Sequence, residues 1–105
     1  MFNFFKRQGF ISPKDFLELK DDVKVLDVRQ KEEVTERERS LFPDYTLIPL
    51  GELERNIHKL NKDEKYYILC RSGMRAQGAK RILDAEGIES TVISKGILGI
   101  MKELK

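Results

Sequence analysis

Four short runs of apolar residues, mostly β-branched or aromatic, alternate with stretches of helical spacing, and that alternation restricts the fold more than any other feature. The runs are Val23–Val28, Leu47-Ile48-Pro49, Tyr66-Tyr-Ile-Leu69 and Thr91-Val-Ile93. The third has no polar position, as in a strand covered on both faces, and Pro49 closes the second. Between the runs, Ser12-Pro13 with Asp15 reads as a capped helix start, and Phe16, Leu17 and Leu19 form a stripe that ends near Asp21-Asp22. Apolar residues at 50, 53, 57 and 60 predict a helix over Leu50–Leu60. A further helix is predicted from about Ala76 to Glu86, stopped by Gly87, and a last short one over Ile97–Leu104. The connections are long enough for crossovers. The reading is therefore an α/β fold with a mainly parallel sheet.

At 105 residues the chain suits one compact domain, residues 1–105, and no repeat or Pro/Gly/Ser linker divides it. Charged residues make up 36% of it, yet 20 basic and 18 acidic side chains leave only +2. So small an excess gives no field that argues for nucleic acid or an anionic membrane. One cysteine cannot form an internal disulfide, and one Cys with one His falls short of a zinc site built from such ligands. No apolar run reaches the roughly 18–20 residues of a membrane span. The start, Met1-Phe-Asn-Phe-Phe-Lys-Arg, has its basic residues after the apolar ones, the reverse of a signal peptide. A cytoplasmic location is the expectation.

The single cysteine stands where an open parallel sheet binds ligands, beyond the carboxyl end of a strand and before a helix. Cys70 is followed by Arg71, Ser72, Gly73, Met74 and Arg75. Gly73 permits unusual backbone angles, and the N–H groups at the coming helix start would stabilise an anion on the sulfur. Arg71 and Arg75 add positive charge. A free cysteine is more often a small buried hydrophobe. Two arginines, a serine and a glycine in the next five positions argue instead for a nucleophile in an anion cradle.

Cys70-Arg-Ser-Gly-Met-Arg75 after a hydrophobic strand resembles the active-site loop of rhodanese-like sulfurtransferases. Val25-Leu-Asp-Val-Arg29 with Glu33 resembles that family's early Asp-Val-Arg motif and its trailing glutamate; Ile48-Pro49 and Ser12-Pro13 fit as well. The resemblance implies a five-stranded, doubly wound parallel sheet with helices on both faces. It also implies that Cys70 takes sulfane sulfur from a donor such as thiosulfate, holds it as a persulfide, and passes it to an external thiol, cyanide or a protein acceptor. The backbone of Arg71 to Arg75 would cradle the persulfide, with the Arg71 and Arg75 side chains facing the donor. No metal or organic cofactor is required. The sequence departs from the family pattern in that Thr35-Glu-Arg-Glu-Arg39 replaces a common Gly-His-Ile. The stretch from Glu33 to Pro49 is also longer than in the family, a late Gly-Gly is Lys95-Gly96, and Ala76 replaces a serine. The first departure is expected to remodel one wall of the pocket.

Asp27, Arg29 and Glu33 read as structural support, with the strand-end Asp27 and Arg29 hydrogen-bonded to neighbouring loops and Arg29 pairing with Glu33. The balanced charges of Arg29–Arg39 suit a solvated face, and His58 a solvated helix position. Phe2, Phe4, Phe5 and Phe10 are expected to pack an N-terminal segment over the sheet. Two other functions compete. A cysteine phosphatase or arsenate reductase would use the same anion logic, but places one more residue between cysteine and arginine and commonly a histidine where Leu69 stands. A non-catalytic binding module on the same fold would commonly have lost the cysteine, which this chain keeps.

Overall fold

A computed structural model describes residues 9–105. Its sheet has five strands, β1 (Phe10–Ile11), β2 (Lys24–Asp27), β3 (Tyr45–Leu47), β4 (Tyr66–Leu69) and β5 (Ser90–Ile93), in the order β1-β5-β4-β2-β3. Every pairing is parallel. The helices are α1 (Pro13–Leu19), α2 (Glu36–Arg39), α3 (Met74–Ala85) and α4 (Gly96–Glu103).

The strand pleat sorts the core into two layers. Leu26, Val28, Tyr66, Ile68, Cys70 and Val92 share one face with Ala76, Ala79 and Leu83 of α3. Val25, Tyr67, Leu69 and Ile93 share the other with Phe16 of α1 and Ile97 and Ile100 of α4. Helices on both faces make the sheet doubly wound, and the central strand β4 is apolar throughout because neither of its faces meets water. After β2 the chain moves outward to β3, then returns to the other side of β2 to place β4. That reversal opens a crevice at the carboxyl ends of β2 and β4. Asp27 and Leu69 pair across it, so Cys70 stands at its mouth.

Local departures from the sequence expectation have physical causes. β1 is a two-residue edge strand, too short to show a period, and it carries Phe10 against β5. Phe2, Phe4 and Phe5 lie outside the described residues. β3 starts two residues before the expected Leu47, because the Tyr45 ring stacks on Phe42 at 6.1 Å and Tyr45 pairs with Val25. Leu50–Leu60 is not one α-helix but two 3₁₀ turns, Leu50–Glu52 and Glu54–Lys59. Leu50 and Leu53, like Ile57 and Leu60, are three apart and suit the three-residue period, while the Asn56 side chain bonds the carbonyl of Glu52. His58 is exposed there.

α1 begins as the sequence predicts, with the Ser12 hydroxyl accepting the Asp15 N–H at 3.1 Å and Pro13 at the first position. Its anchor is Phe16, fully buried against the rings of Phe42 and Tyr67 at 6.0 and 5.9 Å. Phe16→Ala is expected to cost about 3–5 kcal/mol by urea denaturation, the usual range for emptying a buried aromatic site.

Candidate active site

The Cys70 loop is held from behind by α4. The N–H of Ile97 donates to the carbonyl of Cys70 at 2.9 Å, and that of Leu98 to the carbonyl of Arg71 at 3.2 Å. In a trans peptide the N–H points opposite to the carbonyl, so the Arg71 and Ser72 N–H groups turn away from α4. They turn toward the face of the sheet that carries the Cys70 side chain. Gly96, at φ +53°, makes this docking possible: a Cβ there would overlap the carbonyl oxygen of Cys70 and come within 2.5 Å of that of Arg71. Lys95 sits at φ +62°, a left-handed conformation that costs a side-chain-bearing residue about 1–2 kcal/mol.

On the other side stands the start of α3. Its cap is Gly73 at φ +106°, and the helix begins at Met74, two residues before the expected Ala76. The early start brings Met74 and Arg75 into the first turn. The Gly73 N–H reaches Cys70 Sγ at 3.0 Å and the Ala76 N–H at 3.4 Å. The N–H groups of Arg71, Ser72, Met74 and Arg75 have no acceptor among the described residues. Cys70 is 1% exposed, whereas Arg71, Ser72 and Met74 are exposed at the rim.

The two loop arginines have different roles, which the sequence did not reveal. Arg75 is in a two-pronged ion pair with Glu33, at 2.6 and 2.7 Å. The guanidinium, helped by the Gln30 N–H, holds the Glu33 carboxyl down to about 2, and Glu33 in turn raises the pKa of Arg75. Glu33 gives Arg29 only its carbonyl, at 3.4 Å, so the expected Arg29–Glu33 carboxylate pairing is not formed. Arg29 is 2% exposed and binds Asp27 through Nε and Nη2. Its Nη1 donates to Glu38 at 2.8 Å. Burial opposes the Arg29 charge, but the bonds to Asp27 and Glu38 outweigh it and hold its pKa above the ordinary value. Tyr45 completes the cluster by donating its hydroxyl to Asp27 at 2.7 Å; burial first, then this bond, raises the tyrosine pKa.

The charged run is therefore not wholly a solvated face, since Glu33 and Glu38 turn inward. Sequence reasoning missed Glu38 and Tyr45, and gave Gly96 no role beyond its place in the Lys95-Gly96 pair. A capping box at Thr35 and Glu38 was the legible sign of the first, because it starts α2 where the family's Gly-His-Ile would lie. Among the described residues, no three His, Cys, Asp or Glu side chains gather as metal ligands. No helix among them is long and apolar enough to cross a membrane.

The family model described as Rhodanese-like domain matches residues 12–103, and the chain belongs to that family. It is 30% identical over 92 residues to a Bacillus subtilis (strain 168) protein named "Putative sulfurtransferase YtwF", covering 88% of this chain and 86% of that one. It is 35% identical over 72 residues to "Putative sulfur carrier protein YrkF" from the same organism, covering 69% of this chain but only 37% of that protein. Its fold matches the crystal structure of a rhodanese-related protein from Thermoplasma volcanium at a TM-score of 0.78 and 27% identity, over 90% of this chain and 91% of that one. The five-stranded parallel sheet is the fold of that family, and sulfur transfer is its level of function.

The geometry around the loop can be tested by stability measurements. Gly96→Ala should lower stability by about 2–4 kcal/mol in urea denaturation, because the added methyl meets backbone that must move. Lys95→Gly should be tolerated in the same assay. Separately, unfolded Glu33 titrates near 4.5 and folded Glu33 near 2, so between these values the unfolded chain binds more protons. The contribution of the pair is complete above pH 4.5 and lost as pH falls toward 2. Glu33→Gln should flatten the fall of stability in that window, measured by denaturation across pH.

Proposed function

We propose that this chain is a one-domain sulfurtransferase that carries sulfane sulfur on Cys70. The donor is thiosulfate or another anionic sulfane compound, and the acceptor is an external thiol, cyanide or a protein. The observation that carries this reading is the convergence of the Gly73 and Ala76 N–H groups on Cys70 Sγ. Such donors favour an anion at the sulfur, whether thiolate or persulfide. With thiosulfate, the Cys70 thiolate attacks the sulfane sulfur, the S–S bond of thiosulfate breaks, and sulfite leaves with the electron pair. The terminal sulfur of the new persulfide lies farther out and takes the N–H groups that Arg71, Ser72, Met74 and Arg75 leave without an acceptor.

Asp27, Arg29 and Glu33 support the site without touching sulfur. Asp27 and Arg29 brace the end of β2, and Glu33 fixes Arg75 and with it the first turn of α3. Arg71 is the loop arginine whose charge stays unpaired among the described residues, which suits it to meet an anionic donor. The curated relative named as a sulfurtransferase supports the same chemistry. One unbridged cysteine suits a reducing compartment such as the cytoplasm. Transfer of sulfur from thiosulfate to cyanide, followed as thiocyanate, tests the assignment. Cys70→Ser should abolish it with the fold retained by circular dichroism, and turnover by that variant above a small fraction of wild type would refute it.

A further inference from the structure

The rim of the Cys70 loop is apolar and basic together. Four large apolar side chains are exposed among the described residues, and two of them, Met74 at 73% and Leu98 at 48%, stand at the two helix starts that grip the loop. Lys95 lies beside them, its backbone N 3.3 Å from where a Cβ on Gly73 would sit. A cavity of about 300 Å³ adjoins Lys95 over the carboxyl ends of β1 and β5, with Lys14 and Lys102 on its walls. Arg71, Lys14, Lys95 and Lys102 have no ion pair among the described residues, and Glu103 is the one carboxylate on that cavity wall. Arg75, a member of the same loop, is already neutralised by Glu33. The uncompensated charge thus runs from Arg71 and Lys95 at the loop to Lys14 and Lys102 at the cavity between α1 and α4 beside it, a spread that a surface can meet better than a small ion can.

The sulfur itself is recessed, with Cys70 1% exposed, and the chain has no second cysteine to receive its cargo. From the charge and the apolar pair, we propose that the rim docks an acidic protein surface that presents a cysteine beside an apolar side chain. That protein thiol is the acceptor from Cys70. The inference rests on the sulfur-carrying role proposed above. The partner thiol gives its proton to solvent, and its thiolate attacks the outer sulfur of the Cys70 persulfide. The bond from that sulfur to Cys70 Sγ breaks, and Sγ keeps the electron pair as a thiolate. The partner now holds the persulfide, so no outside oxidant or reductant enters.

The test uses two synthetic peptides of equal length, Asp-Glu-Leu-Cys-Gly-Glu and Lys-Lys-Leu-Cys-Gly-Lys, with 2-mercaptoethanol as a neutral small thiol. Sulfur transfer from persulfide-loaded protein to the acidic peptide should be about 10-fold faster than to the basic one at low salt, and the advantage should vanish at high salt. The double variant Lys14→Glu, Lys102→Glu should lose the advantage while reacting with 2-mercaptoethanol within about 2-fold of wild type. Equal rates for the two peptides, or an advantage that survives in the double variant, would overturn the proposal. Binding is read independently, by fluorescence anisotropy of serine versions of both peptides on Cys70→Ser protein. Selective binding of the acidic peptide, in a protein whose wild type takes up no sulfur, would keep the docking surface and remove the sulfur-carrying reading. Equal binding would remove the docking surface whatever the sulfur chemistry does.

Discussion

The hydrogen bonds from the first turn of α4 to the carbonyls of Cys70 and Arg71 set the polarity of the whole site. A loop that leaves a strand has no fixed orientation for its peptides. Here α4 takes the carbonyls on one face of the sheet, and the N–H groups are left for the other face, where the sulfur is. The two helix starts act on different groups. The α4 start directs its N–H donors at the loop carbonyls, whereas the α3 start directs its own at Cys70 Sγ. Close approach is the condition for this, and Gly96 supplies it by having no side chain between α4 and the loop.

A second layer of charge fixes the position of these parts. Asp27 and Arg29 are buried at the carboxyl end of β2, with Tyr45 and Glu38 satisfying the remaining polar positions around them. Leaving one member of such a pair alone in the core costs about 3–5 kcal/mol, so the end of β2 is defined by the full set. Glu33, from the same connection, reaches Arg75 in the first turn of α3. The two acids that turn inward from the charged run therefore tie β2 to α2 and to α3. The same pairing removes Arg75 as a free cation, which moves the available positive charge outward to Arg71 and the neighbouring lysines.

The α/β class and the location of Cys70 were legible because they depend on local patterns. An all-apolar strand followed by a glycine-containing loop and a helix can be read from neighbouring residues alone. The fifth strand could not be read this way, since Phe10–Ile11 gains its identity only by pairing with Val92 and Ile93. Leu50–Leu60 misled because spacings of three and four residues suit an α-helix as well as successive 3₁₀ turns. The partners of Arg29 and Arg75 were equally hidden: Glu33 and Arg75 are 42 positions apart, and no periodicity links them. Gly96 was legible only as half of the Lys95-Gly96 pair, and its role needed the carbonyls of Cys70 and Arg71 that it faces.

Sulfur carriage by Cys70, in a cradle of backbone N–H groups, is the claim on which the functional reading stands. Intact-protein mass spectrometry after incubation with thiosulfate, followed by peptide mapping, measures this directly. The expected result is one added sulfur atom per chain, located on the peptide that contains Cys70 and removed by cyanide. A chain that stays at its unmodified mass with thiosulfate and with a small-molecule persulfide would contradict it.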